Sequence, residues 1–199
     1  MKHIPVLIVG GGPVGLSMAL ALARQKIHSL IIERHPSRTE HPRARGVSMR
    51  TMELFRQWGD INELLKYEFP REGIRFIWSE SLKGDEVTRV EMKEIENYTH
   101  GPIGASFVTQ DCVEEYLHHT LQGHQEVDIQ FSKEMIAFEN KDSGVLVRLL
   151  NHRSNEEEFV NAQYVIAADG AHSSIRKQLN IEMDGPDKLR TLLLCVLRI

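Results

Sequence analysis

The stretch Val6-Leu7-Ile8-Val9-Gly10-Gly11-Gly12-Pro13-Val14-Gly15 decides how the rest of the chain is read. It continues through Leu16 to Gln25 and then Lys26-Ile27-His28-Ser29-Leu30-Ile31-Ile32-Glu33. Val6 to Val9 are apolar and mostly β-branched, the pattern of a short buried strand. Glycines follow at the spacing G-x-G-x-x-G. The Ala- and Leu-rich segment after them predicts a helix, and a second apolar strand closes on Glu33. Each part has a task in a βαβ unit that cradles a dinucleotide. Gly10 lets the chain turn sharply out of the strand. Gly12 has no Cβ, so a pyrophosphate can reach the backbone, and Gly15 lets the helix close on the strand. N–H groups at the helix start face the phosphates with the positive end of the helix dipole. Glu33, eighteen residues beyond Gly15, stands where an acid takes the ribose hydroxyls. A glycine pattern alone would fit an ordinary turn. The two strands, the helix and Glu33 around it single out the cradle.

Composition sets the bounds. With 199 residues, the chain can bury a core as one domain, or as one domain with part of another. It is 41% hydrophobic and 26% charged, and its net charge of -4 gives no reason to expect a nucleic-acid or anionic-membrane partner. No apolar run approaches the length of a membrane span. Met1 to Pro5 lead directly into the first strand, whose apolar stretch is too short for a secretory leader. Cys112 and Cys195 are far apart and form no metal or redox motif, as expected of reduced thiols in a cytoplasmic protein.

Beyond Glu33, Arg34 to Gly46 is a basic loop with Pro36 and Pro42. Its arginines could neutralise a phosphate pair, Arg43 and Arg45 more readily than Arg38 because they sit against the next helix start. That helix is expected from Ser48, a cap, to Gly59, with Met52, Phe55 and Trp58 facing inward as core. Asp60 opens a second short helix. Residues 71 to 105 change character: Ile74 to Trp78 and Val87 to Ile95 alternate around the turn Ser81–Asp85, an antiparallel excursion from the nucleotide domain. Asp111 and Glu114 read as a capping box for a helix that stops at Gly123. His118, His119 and His124 suit no common metal spacing, and no metal is expected. Strands are expected at Val127–Phe131, Glu134–Phe138 and Val145–Leu150. Another returns from Phe159 and leads into Tyr164 to Gly170, ending in small residues and an acid. The apolar piece Leu189 to Ile199 is a last strand candidate.

Three motifs together resemble the single-component FAD-dependent aromatic hydroxylases of the phenol and para-hydroxybenzoate hydroxylase type. They are Gly10-x-Gly12-x-x-Gly15 with Glu33-Arg34, Pro42-Arg43-Ala44 running into Arg50 to Arg56, and Asp169-Gly170-x-x-Ser173-x-x-Arg176. The second is similar to the phenol and polyketide hydroxylase branch. The resemblance implies an α/β, Rossmann-like FAD-binding domain over 1–70 and 106–185, with 71–105 and 186–199 as partial elements of a substrate domain. It implies FAD as cofactor, NADPH or NADH as reductant, and transfer of an oxygen atom from O2 to a small aromatic or phenolic substrate through a flavin C4a-hydroperoxide. By the same resemblance Gly12, Pro13 and Val14 would line the pyrophosphate, and Glu33 would bind the adenosine ribose with Arg34 beside it. Arg43 and Arg45 would contact phosphates or the ribityl chain, Gln110 the ribityl chain, and Met135 the adenine. Asp169 and Gly170 would support the flavin and the nicotinamide nucleotide. Members of the family are longer and carry a later Gly-Asp motif that is not found here, so no catalytic residue is assigned. Halogenases and epoxidases of the same superfamily, and a truncated product without activity, are the alternatives.

Overall fold

A computed structural model describes residues 2–39, 43–81, 83–91 and 101–185. The predicted strand Leu189–Ile199, the end of the strand toward Ile95, Pro42 and Cys195 lie outside the described residues. The chain begins β1 (Lys2–Val9), α1 (Pro13–Arg24), β2 (Ser29–Glu33), α2 (Met49–Trp58), α3 (Ile61–Leu65), β3 (Arg75–Ser79) and β4 (Glu86–Glu91). It continues α4 (Gln110–Leu121), β5 (Val127–Phe131), β6 (Lys133–Lys141), β7 (Gly144–Asn151), β8 (Glu156–Ala167) and α5 (Ser174–Gln178).

Six strands form one sheet in the order β5-β2-β1-β8-β7-β6. β1 lies parallel to both β2 and β8, and β5 is parallel to β2. β6, β7 and β8 run antiparallel to one another. The continuous apolar reading of Val6 to Val9 has a direct cause, because β1 is buried on both faces. Val6 and Ile8 join Leu16 and Leu20 of α1, Met52 and Phe55 of α2 and Leu117 of α4 in one core. Leu7 and Val9 join Leu30, Ile32, Val147, Leu149 and Ile175 in a second core on the opposite face. β6 also lies against β2, although three strands separate them in the sheet order, so the antiparallel arm curls back over the parallel part. That curl brings Met135 of β6 over the end of β2.

Three details differ from the sequence-based expectation. The helix predicted from an Asp111–Glu114 capping box starts two residues earlier, at Gln110. Thr109 is its N-cap and makes no side-chain cap bond, while Asp111 falls in the first turn. The returning strand and the apolar strand after it are one twelve-residue element, β8, that serves both halves of the sheet. Trp58 is only half-buried, at the edge of the core that Met52 and Phe55 fill. The excursion forms β3 and β4, an antiparallel pair in a sheet of its own. Among the described residues no helix is long and apolar enough to cross a membrane.

Candidate cofactor site

The site forms where β1, β2 and β8 end. These three adjacent parallel strands have their carboxyl ends together, the position at which open α/β sheets take ligands. The glycines make the close approach possible. Gly10 has φ +111°, and a Cβ there would stand 2.3 Å from the Ala168 carbonyl oxygen at the end of β8. A Cβ on Gly15 would stand 1.9 Å from the Gly10 carbonyl oxygen, so α1 rests on the turn itself. Gly12 differs from both: a Cβ there meets nothing within 4 Å. Its bare backbone faces open space at the start of α1. No side chain caps α1, Pro13 occupies its first turn, and no acidic residue stands there. Its first N–H groups and the positive end of its dipole are left for an anion.

Glu33 is held at the end of β2 by backbone donors. Its Oε2 accepts from Gly11 N–H at 2.8 Å and its Oε1 from His35 N–H at 2.9 Å. Each oxygen keeps further acceptor capacity for a hydroxyl. Gly11, a variable position in the glycine pattern, is constrained as well, since a Cβ there would approach Glu33 Cβ to 2.9 Å.

The basic loop is tied to α4. Gln110 N–H donates to the Ala44 carbonyl at 3.0 Å, and Val47 and Ser106 form a two-way backbone bridge. Gln110 Nε2 donates in turn to Glu114 Oε1 at 2.8 Å. Glu114 is only 3% exposed. Burial pushes its carboxyl pKa up, against the opposing pull of Gln110, the Thr39 backbone and Arg38. His118, one turn further along α4, stacks on Phe131 with ring centroids 5.9 Å apart. Its imidazole pKa is pushed down, first by burial and then by Arg38.

On the other side, the Asp169 motif bonds to itself. Asp169 Oδ2 accepts from the N–H groups of Ser174 at 2.8 Å and Ile175 at 3.3 Å. Ser173 Oγ caps α5 by accepting from Arg176 N–H at 3.0 Å, and Arg176 Nη1 donates to the Ala171 carbonyl at 2.8 Å.

Three concavities meet at this place. One of about 300 Å³ is lined by every site residue named from the sequence except Gly15 and Arg45. Gly15 lies beneath the turn, and Arg45 projects from the loop without lining that cavity. His35, Lys133, Glu134, His172 and Ser174 also line it and were not anticipated. Lys133 is held by an ion pair with Glu158. A neighbouring cleft of about 310 Å³ runs under Arg38 and Arg43 to Glu114. An apolar groove of about 660 Å³ between α1 and α2 shares Pro13, Val14 and Gln110 with the first cavity and is flanked by Ala44, Val47 and Trp58. Among the described residues no three His, Cys, Asp or Glu side chains gather as metal ligands.

The family described as "FAD binding domain" matches residues 3–197. The chain belongs to this family. It is an N-terminal FAD-binding domain of the aromatic-hydroxylase kind, of the phenol and polyketide hydroxylase type. Aklavinone 12-hydroxylase DnrF of Streptomyces peucetius subsp. caesius is 37% identical over 189 residues, covering 92% of this chain and 38% of that protein. The flavin-dependent monooxygenase PieE, solved with FAD and substrate, superposes with a TM-score of 0.82 at 31% identity, over 92% of this chain and 33% of that one. Aklavinone-11 hydroxylase, solved with FAD and aklavinone, gives 0.79 at 30% identity, over 90% and 35%. The chain therefore spans about a third of the length of the curated relatives it matches.

Within the FAD-binding family frame, two features went unread in the sequence. Glu114 carried a usable signal, because it follows Gln110 by four residues on a helix and so shares its face. Lys133 and Glu134 carried none, since only the curl of β6 over β2 brings them to the cavity.

Proposed function

We propose that the chain binds FAD across these three concavities as part of a monooxygenase that hydroxylates an aromatic or phenolic substrate with NAD(P)H and O2. The observation that carries the cofactor assignment is Gly12, whose missing Cβ opens the start of an uncapped helix to a phosphate pair. Gly12, Pro13 and Val14 then line the pyrophosphate. Glu33, fixed by two backbone donors, accepts from the adenosine ribose, with Arg34 and Met135 beside the adenosine. Arg43 offsets phosphate charge. Gln110 meets the ribityl chain, because it borders all three concavities. The apolar groove beyond Pro13 and Val14 suits the flat flavin ring and gives it a dry wall. Asp169 shapes the turn that presents Gly170 to the cavity, where the flavin and the nicotinamide nucleotide are supported.

When bound, FAD supplies the redox and oxygen-transfer chemistry, and the protein supplies placement. The exposed pair β3–β4 belongs to a substrate-facing sheet that the FAD-binding domain interrupts itself to contribute. A cytoplasmic location, with Cys112 as a free thiol, is part of the same proposal. A second reading follows from the span. A chain that covers about a third of its relatives would hold FAD without turning over substrate.

The test is reconstitution. The purified 199-residue chain is mixed with FAD, desalted and its absorbance recorded, and oxidation of NADPH or NADH is followed with a phenol present. Retained flavin bands are expected. A colourless protein after reconstitution refutes the cofactor assignment. Flavin without phenol-dependent oxidation selects the second reading.

A further inference from the structure

The FAD reading leaves one buried acid without a task. Glu114 lies on α4 at 3% exposure, facing the cleft rather than solvent. A carboxylate so placed is retained only with good partners. It has two: the Gln110 side-chain amide at 2.8 Å and the Thr39 backbone N–H. Arg38 and Glu33 are the charged groups that act on it from the loop and from the end of β2.

The Gln110 contact has a directional consequence. An ionised carboxylate only accepts hydrogen bonds, so it takes the amide NH2 and cannot take the amide oxygen. With Nε2 committed to Glu114, the carbonyl oxygen of Gln110 is the end left for the concavities. Gln110 is also braced from the backbone side, where its N–H donates to Ala44 at 3.0 Å. Both ends of the residue are thus fixed, and what it presents is an acceptor.

We propose that Glu114 is a positioning residue that locks the Gln110 amide, so that its carbonyl oxygen accepts from a hydroxyl of the sugar-alcohol chain between the flavin ring and the pyrophosphate. This rests on the FAD reading of the site. ADP lacks the sugar-alcohol chain that the FAD reading gives to Gln110, while Glu33 takes the adenosine ribose that both ligands carry. Glu114 therefore tunes affinity for FAD and not for ADP. A neutral Glu114 could donate to the amide oxygen and let Gln110 turn over, so the preference should also weaken as the solution is acidified through the raised range of this carboxyl.

The experiment compares FAD and ADP binding by the 199-residue chain and its variants, by titration calorimetry at neutral pH. In Glu114→Ala the FAD affinity falls about tenfold, the worth of one directed hydrogen bond, and ADP affinity stays within about twofold. Glu114→Gln keeps the shape of the side chain and provides a variant that folds if the alanine variant does not. It can pair with Gln110 in either orientation, and its FAD affinity falls about threefold with ADP unchanged. In a Gln110→Ala background neither replacement lowers FAD affinity further. A purely structural role would instead weaken FAD and ADP together and persist without Gln110, and that pattern overturns the proposal. So does FAD binding unchanged in either folded variant. If the unmodified chain binds ADP and not FAD, the FAD reading falls and this proposal falls with it. Loss of the FAD preference in the variants alone separates the two.

Discussion

Gly12 and Gly15 belong to one motif, yet the structure assigns them opposite costs when each is replaced by alanine. In Gly15→Ala the new Cβ would lie 1.9 Å from the Gly10 carbonyl oxygen. That oxygen is backbone and cannot rotate aside, and Gly10 itself is pinned by its N–H to the Ile32 carbonyl at 2.9 Å. Helix α1 must retreat from the sheet and loosen the contacts of Leu16, Ala19 and Leu20, all fully buried. Overpacking of this kind costs about 3 kcal/mol, the upper part of the usual span. For a chain of this size that lowers the melting temperature by roughly 6–12 °C.

Gly12→Ala meets nothing within 4 Å. Its backbone, at φ -78° and ψ -175°, is extended and open to alanine. Reduced freedom of the unfolded chain stabilises by about 0.4–1 kcal/mol, and loss of a good N-cap residue offsets a similar amount. The melting temperature should stay within about 3 °C of the unmodified chain. The methyl group does occupy the approach to the first N–H groups of α1. Losing one charge-assisted phosphate bond there costs about 1.5–3 kcal/mol, or roughly 10- to 100-fold in FAD affinity. Circular-dichroism melts and flavin-fluorescence titrations read the two effects separately. A Gly12→Ala protein that binds FAD as before, or that melts well below a Gly15→Ala protein, refutes the placement of the pyrophosphate over Gly12.

Arg43 lines the cavity and Arg45 does not, so Arg43→Ala should weaken FAD binding several-fold more than Arg45→Ala, measured by titration in low salt where exposed charges are least screened. The raised carboxyl of Glu114 gives stability that is greatest while it is protonated and is lost as pH rises from the ordinary carboxylate range through its folded value. Urea melts over that window should show a falling slope with pH that Glu114→Gln abolishes. His118 acts in the opposite sense: its imidazole is depressed by burial and Arg38, so its contribution is lost as pH falls from 6.5 through the folded value, and His118→Asn should flatten that loss. The β3–β4 pair has Phe76, Ile77, Trp78 and Val87 exposed and stands apart from the main sheet. Its amides should therefore exchange with deuterium orders of magnitude faster than those of β1 and β2, as mass spectrometry of peptides would report.

The parts of the fold that were legible share a physical property: each is enforced within a short run of residues. Gly15 is demanded by the backbone of its own turn, the Gly10 carbonyl, and Gly10 by the φ of +111° that makes the turn. The apolar run of β1 is demanded by burial on both faces. Ser48 and Asp60 reveal helix starts because each caps the N–H groups just beyond it, Thr51 at 3.3 Å and Asn62 at 3.0 Å. What escaped depends on the path of the sheet. Nothing near Lys133 or Glu134 in sequence announces that β6 curls over β2. Asp111 has the composition of a cap, but the helix takes Thr109 instead, because Gln110 is already drawn to the Ala44 carbonyl and starts the helical turn.

The Asp169 motif shows how a residue pattern can be recognised before its task is. Its side chains spend their hydrogen bonds on one another and on the start of α5: Asp169 on Ser174 and Ile175, Ser173 on Arg176, and Arg176 on Ala171. A carboxylate so engaged keeps little acceptor capacity on that oxygen. Its effect on a cofactor then runs through the turn it holds, in which Gly170 takes φ +83° and nothing stands within 4 Å of where its Cβ would be. The same logic applies at Glu114, which orients Gln110. At Asp169 and Glu114 the acid fixes a neighbouring group, and the surface offered to a nucleotide is what that group leaves exposed, while Glu33 is fixed by its neighbours and offers its own remaining acceptor sites. Spacing in the sequence identifies such acids. The partner of each one decides whether it touches the ligand or only aims what does.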